Sequence, residues 1–390
     1  MKIIFNEIKK IFNWKICVVL LIGTFLIYNL VMSFDIEVFP NGNPDTNIYN
    51  ITVKMIEDYG QEMDEEEFLD FQKIYEEKLL EADKFLSNNK DFNKFGIYSY
   101  EDYLNKRGGK FDEPNEDLET VVWDNLLSSS GDIFWELQVM PGYIERYKNK
   151  DMVGQLSKEM DSTFERNKNS EERLVEISEN EENKSIFPRM VLENYIRLIK
   201  GFTVSIIIGI AFVLTPIFLK DKRDKVDQIQ YSSKIGRGLF KKKLVAGFIS
   251  AMIITTVELG ICMILYSTNN TSMFFKSNIN SVYNNEYWFS MTFIQYIILT
   301  VVCVYILSII TAFISMFISS KVRSYVAALG AQVPTIFALC GLTLSLLMDN
   351  LTIIYKSKYL WILAYLFLII IAGTLIIYAV KKERLKDILI

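Results

Sequence analysis

Histidine is absent from all 390 residues. Its absence excludes a Ser-His-Asp or Cys-His nucleophile pair, an HExxH zinc site and any pH switch built on imidazole. Cysteine is scarce. Cys17, Cys262, Cys303 and Cys340 each fall inside an apolar run and none has CxxC spacing, so neither a disulfide framework nor a thiolate metal site is indicated. They are expected as small buried apolar side chains. No GxxxxGK[ST] segment occurs, so this chain has no P-loop for ATP. The acidic cluster at 63–67 lacks the glycine turn and ligand spacing of an EF-hand, and Ser128-Ser129-Ser130-Gly131 sits in no nucleophile elbow. Carboxylates are plentiful, yet nothing in their spacing singles out an acid/base pair. The chain is not expected to be an enzyme.

What the chain does have is apolar sequence and a strong segregation of charge. Hydrophobic residues make up 51% and charged residues 23%, and mean hydropathy is +0.19. A chain that is both apolar and this charged must separate the two along its length. Residues 35–195 carry 38 of the 47 acids but only 18 of the 42 bases, while the remainder carries 9 acids and 24 bases. The net charge of −5 therefore conceals an acidic segment of −20 and a basic remainder of +15.

The basic remainder contains six apolar runs. The first, at 16–32 and taken as a span over 16–34, follows Lys2, Lys9, Lys10 and Lys15. A basic flank before an apolar core also describes a signal peptide. However, Val31-Met32-Ser33-Phe34 lacks the small-x-small pattern that a signal peptidase reads, so an uncleaved span is expected. Before it, Ile4, Ile8, Ile11 and Phe12 share one face of a short helix over 1–15, suited to lying in the membrane interface. The other runs cover 201–219, 244–266, 291–318, 325–348 and 359–380. Each is long enough to cross ~30 Å of hydrocarbon at about 1.5 Å per residue. Pro216 and Pro334 are expected to kink their helices. With the first segment inside, the inner segments 1–15, 220–243, 319–324 and 381–390 hold 19 Lys and Arg, against 3 in the outer segments 267–290 and 349–358. That bias places both termini in the cytoplasm and the acidic segment outside the plasma membrane.

The acidic segment reads as mainly helical. Asp64 to Glu67 puts negative charge at the start of a run in which Phe68, Phe71, Ile74, Tyr75, Leu79 and Phe85 recur near helical spacing. Ser99 with Asp102 resembles a capping box that opens a helix ending near Gly108-Gly109. Further helices are expected over 118–127, 133–140 and 170–177, with breaks at Pro114, Pro141-Gly142 and Pro188. The expectation is an all-α integral membrane protein: six transmembrane helices and a mainly helical extracellular domain (35–200) between the first two.

The inner segment 220–243 carries nine bases, which suit the inner leaflet whatever else they do. It also resembles the coupling loop of ABC-2-type transporter permeases, where an acidic residue precedes a short helix, a Ser/Thr-Ser-Lys-x-x-Arg turn and a basic start to the third span. Ser232, Ser233, Lys234, Gly236 and Arg237 match the turn, and Lys242 or Lys243 the basic start. Asp224 or Asp227 stands where that family usually has Glu. The layout of interfacial helix, one span, large outer domain and five clustered spans is one permease layout. Glu81-Ala82-Asp83, Phe92 and the stretch from Gly96 to Tyr103 are similar to outer-domain sequence in many permeases of Gram-positive bacteria. The resemblance implies two permeases side by side, identical or sister chains, each with a cytoplasmic ABC ATPase docked on its loop. ATP and Mg would then be held by the partner, with no cofactor on this chain and no nucleic-acid role. It implies export of a peptide, lipid or antimicrobial compound, or resistance to one.

Glu258 is the one acid deep inside a span, and such a group is costly without a partner. It admits two readings, a pathway or gate residue and a hydrogen bond to a neighbouring helix; Gln295 and Gln332 admit the same two. Two other function classes compete. One is a multi-span receptor or sensor whose outer domain binds a ligand, against which the largest inner segment is only 24 residues. The other is a secondary transporter, against which no internal repeat is visible.

Overall fold

A computed structural model describes residues 1–108, 116–126, 132–150, 168–224, 236 and 238–385. Among them the regular structure is helical, with two isolated β-bridges and no strand. Among the described residues six helical segments are long and apolar enough to cross a membrane: Trp14–Glu37, Arg189–Arg223, Gly238–Ser267, Phe293–Lys321, Tyr325–Leu347 and Leu360–Arg384. The chain divides into two compact units, one of Met1–Phe39, Leu192–Asn270 and Ile294–Ile390, the other of Pro40–Val191 with Thr271–Phe293.

In the apolar unit, α1 (Lys2–Ile11) ends at Phe12, and α2 (Trp14–Glu37) starts afresh because Asn13 caps it, its Oδ1 accepting from Ile16 N at 3.1 Å. The α1 helix is amphipathic, burying Ile11 and Glu7 while Phe5 is exposed. Next come α9 (Arg189–Leu214), α10 (Pro216–Arg223), α11 (Gly238–Ser267), α12 (Phe293–Lys321), α13 (Tyr325–Leu347) and α14 (Leu360–Arg384). The α9 segment is the most buried of the six and α2 the least. Near the start of α9, Arg197 pairs with Asp35 at 2.7 Å, and Asn194 and Asn269 both donate to Asp35 O. Lys200 reaches Asp349 at 2.8 Å, and Lys356 holds the other oxygen of that carboxylate at 2.9 Å. Burial pushes the Asp349 carboxyl up, but the two ammonium groups outweigh it and leave it below the usual aspartate range.

The polar unit is organised around two long helices, α4 (Glu65–Asn88) and α7 (Asp132–Lys148), accompanied by α3 (Asp45–Tyr59), α5 (Tyr100–Gly108), α6 (Glu116–Leu126) and α8 (Lys168–Glu179). A reciprocal capping box starts α4: Asp64 Oδ1 accepts from Glu67 N at 2.9 Å and Glu67 Oε2 accepts from Asp64 N at 2.8 Å. Ser99 and Asp102 make the same exchange at the start of α5. The first half of α4 packs Phe68 and Phe71 against Met140, Tyr143 and Tyr147 of α7. Its second half packs Ala82 and Leu86 against Phe134 and Leu137, so the two helices run antiparallel.

Two findings differ from expectation. Pro141 and Gly142 do not break the chain, since α7 runs through both. An internal proline costs about 3 kcal/mol. Met140, Tyr143, Ile144 and Tyr147 are all buried by letting the helix continue, and each large apolar side chain returns roughly 1.5–3 kcal/mol. The polar unit is also not a single insert, because residues 271–293, most of the segment 267–290 expected as a short outer loop and the first three residues of the expected span 291–318, fold into it. Arg173 and Glu182 form a buried bidentate pair (2.7 and 3.1 Å), and Asn280 donates to Glu182 Oε2 at 2.6 Å. Tyr283 stacks on Tyr143 with ring centroids 4.3 Å apart. Pro114 lies outside the described residues.

Candidate functional site

The site is built around a broken helix. Proline has no N–H to continue the α9 ladder, so α9 stops at Leu214 and α10 begins with Pro216 in its first turn, where the missing donor costs nothing. The break is held by side chains from two other helices. Gln332 of α13, buried, donates from Nε2 to Ala211 O at 2.9 Å. Thr215 Oγ1 lies 2.7 Å from both Ala211 O and Gln332 Oε1, and its single proton serves one at a time. Ser319 of α12 donates to Thr215 O at 2.7 Å and accepts from Phe218 N at 3.1 Å. That second bond satisfies an N–H which the first turn of a helix leaves without a partner of its own. Pro334 lies inside its helix rather than at its end, and the partner of Gln332 is the break at Pro216.

The base of the 220–243 segment is clamped just beyond the break. Lys243, 3% exposed, pairs with Asp221. It also donates to Ile217 O at 3.2 Å and stands 5.7 Å from the Phe218 ring centroid. Phe218 and Phe240 stack at 4.7 Å, so the chain entering the segment and the chain leaving it share one apolar contact. Lys222 donates to Ser320 O in the last turn of α12 and, at 3.4 Å, to Val322 O just beyond it. Arg223 pairs with Asp224 at 3.0 Å and lies over the Tyr325 ring at 5.4 Å. Of the predicted loop residues, Asp224 is exposed next to this clamp, and Gly236 has a φ of +49°, the left-handed region that favours glycine. Asp227, Ser232, Ser233, Lys234 and Arg237 lie outside the described residues.

Glu258 occupies a separate place. It is 4% exposed on α11, where Thr24 of α2 donates to its Oε1 at 3.2 Å. The Ser205 hydroxyl of α9 stands 3.5 Å from that of Thr24. Gly209 of α9 allows the approach: a Cβ there would lie 2.9 Å from Leu20 Cδ1 and 3.4 Å from Glu258 Oε1. Glu258 Oε2 is buried with no hydrogen-bond partner, and no cation is paired with it among the described residues. Gln295 is exposed near the start of α12, and the bonds of Glu258 and Gln332 go to other residues. Asn29 donates to Phe25 O of its own helix.

Comparison with known protein families, curated proteins and solved structures finds no match to this chain.

Pro216, Gln332, Lys243 and Glu258 stand out in the sequence, as a proline, an amide, a base and an acid at the edge of or inside apolar runs. Thr215, Ser319 and Asp221 do not. Hydroxyls are unremarkable in a span because they can bond their own helix, and Asp221 is one of several acids in a charged run. No three His, Cys, Asp or Glu side chains converge among the described residues as a metal centre would require. Chemically the arrangement offers no nucleophile with a base. It offers a helix break whose loosened backbone is held by Gln332 and Ser319, next to the Asp221–Lys243 pair.

Proposed function

We propose that this chain is the membrane-spanning permease subunit of an ATP-driven transporter of the ABC-2 type, exporting a peptide, lipid or antimicrobial compound. In this reading the six long apolar helices cross the plasma membrane with both termini and residues 220–243 in the cytoplasm, and the polar unit lies outside. Two features support the membrane frame. Lys and Arg crowd the proposed inner segments, 19 against 3. Lys200 and Lys220 are separated by about 30 Å of nearly continuous helix, the thickness of the hydrocarbon layer.

The observation that carries the coupling role is the clamp of Asp221 with Lys243 directly below the held break at Pro216. A partner pressing on a loosely tethered loop would move only the loop. Here the two ends of the segment are locked together, so a load on it moves α10 and the start of α11 as one body. The hinge at Thr215–Pro216 then passes the motion to α12 through Ser319 and to α13 through Gln332. A separate ATPase holding ATP and Mg would supply the load, and a second permease, identical or sister, would face this one across the pathway.

The test is co-expression with a neighbouring P-loop ATPase and purification through a tag on this chain. The ATPase should follow with ATP turnover, and Asp224→Ala, Asp227→Ala and Arg237→Ala should each weaken its retention. A chain that purifies alone, without ATP turnover, overturns the permease reading and favours a receptor whose outer unit binds a ligand.

A further inference from the structure

A cavity of about 630 Å³ opens in the apolar unit between α1, the start of α2, the α9–α10 segment and α13, a size that holds a substantial small molecule. Its lining is graded along its length. On α9–α10 the wall runs from Ile208 to Arg223, about 22 Å of helix, and on α13 from Tyr325 to Ile336, about 16 Å. One end is hydrocarbon, with Phe212, Val333 and Ile336. The other end carries every charged group of the lining. Its two acids are already engaged, Glu7 by Lys10 at 2.6 Å and Asp221 by Lys243. Among the described residues the Lys220 ammonium has no hydrogen bond or ion pair, and the Arg223 guanidinium beside it is held only by the exposed Asp224 and the Tyr325 ring.

From this gradient we infer that the cavity binds an anionic lipid of the inner leaflet, with its phosphate at Lys220 and Arg223 and an acyl chain along Phe212, Val333 and Ile336. The charge pattern selects the headgroup: the acids of the rim are neutralised internally, and Lys220 lies at the depth where a phosphodiester sits. The apolar end selects a chain-bearing molecule over a free phosphate, because a hydrated anion gains nothing from that surface. The α1 helix lies at the same depth and closes the wall nearest the headgroup, so an amphiphile enters sideways from the leaflet. The inference rests on the membrane frame proposed above and is independent of coupling to an ATPase.

The test uses the full chain reconstituted in phosphatidylcholine vesicles containing a photo-activatable acyl probe, carried either on phosphatidylglycerol or on phosphatidylcholine. Adducts are mapped by peptide mass spectrometry. Labelling of the α9 and α13 peptides should favour phosphatidylglycerol about fivefold, the preference expected from one basic side chain near an anionic surface. Lys220→Glu should bring the two probes to parity. Val333→Trp, at a partly exposed position, should suppress labelling of these peptides by both probes while leaving adducts on α14 unchanged. Equal labelling by the two headgroups in the wild type, or Val333→Trp without effect on α9 and α13, overturns the inference. Because the assay contains no ATPase, positive labelling with failed ATPase co-purification would sink the permease reading and leave the lipid site standing.

Discussion

The clamp at Lys243 makes a quantitative prediction. Asp221→Ala removes the carboxylate and strands the ammonium of Lys243, a residue that is 3% exposed. Breaking a buried pair from one side costs about 3–5 kcal/mol, because the remaining charge loses both solvent and partner. Two features reduce that figure. Ile217 O stays within 3.2 Å, and the Phe218 ring at 5.7 Å adds a cation–π contact of about 1 kcal/mol. The Asp221 side chain is 16% exposed, so water can enter where it was. The expected loss therefore falls below that range, to about 2–3 kcal/mol. Adding Lys243→Met to Asp221→Ala removes the stranded charge and should recover stability to within about 1 kcal/mol of wild type. The assay is unfolding of the purified chain in mixed micelles, followed by denaturant titration, for the wild type, both single variants and the double variant. A single Asp221→Ala variant within about 0.5 kcal/mol of wild type, or a double variant no more stable than that single one, would refute a buried, mutually dependent pair.

Three other variants probe contacts elsewhere in the fold. Ser319→Ala strands the Phe218 N–H at the helix break and should cost about 1–3 kcal/mol, read in the same denaturant titration; an unchanged midpoint would show that this hydroxyl does not hold the break. Glu258→Gln keeps an acceptor for Thr24 while removing a buried carboxyl that has no paired cation among the described residues, so thermal stability should be unchanged or higher. A fall of more than about 1 kcal/mol would mean that a charge on Glu258 is satisfied in the folded chain. Asp349 has its folded pKa depressed by Lys200 and Lys356, so its contribution is fully present above the ordinary aspartate value of about 3.9 and is lost as pH falls through the lower folded value. Asp349→Asn should flatten that acid limb in melting curves recorded against pH, and an identical limb in the variant would remove the pair from the account.

Whatever depends on neighbours in the chain is legible in the sequence alone. The apolar runs, the helix start at Asp64, the Ser99–Asp102 cap and the segregation of charge all come from local periodicity, local hydrogen bonds and composition. The candidate site is legible only in part. Pro216 announces a weak point because the missing N–H is a covalent fact, and Glu258 and Gln332 announce themselves because polar groups in hydrocarbon need partners. Which partners they find is not legible. Gln332 reaches Ala211 and Thr215, more than a hundred residues back in the chain, and Lys243 closes on Asp221 across the whole 220–243 segment. Pro141 reads as a break because its local cost is certain, while the core that overrides it is assembled from α3, α4 and residue 283. Residues 271–293 have no periodicity to reveal their place in the polar unit, since Asn280 and Tyr283 act through single contacts. Local terms set where helices form and which are apolar enough for a membrane. Tertiary packing alone decided which polar groups meet, because a hydrogen bond or ion pair between distant residues leaves no periodic trace in either of its two segments.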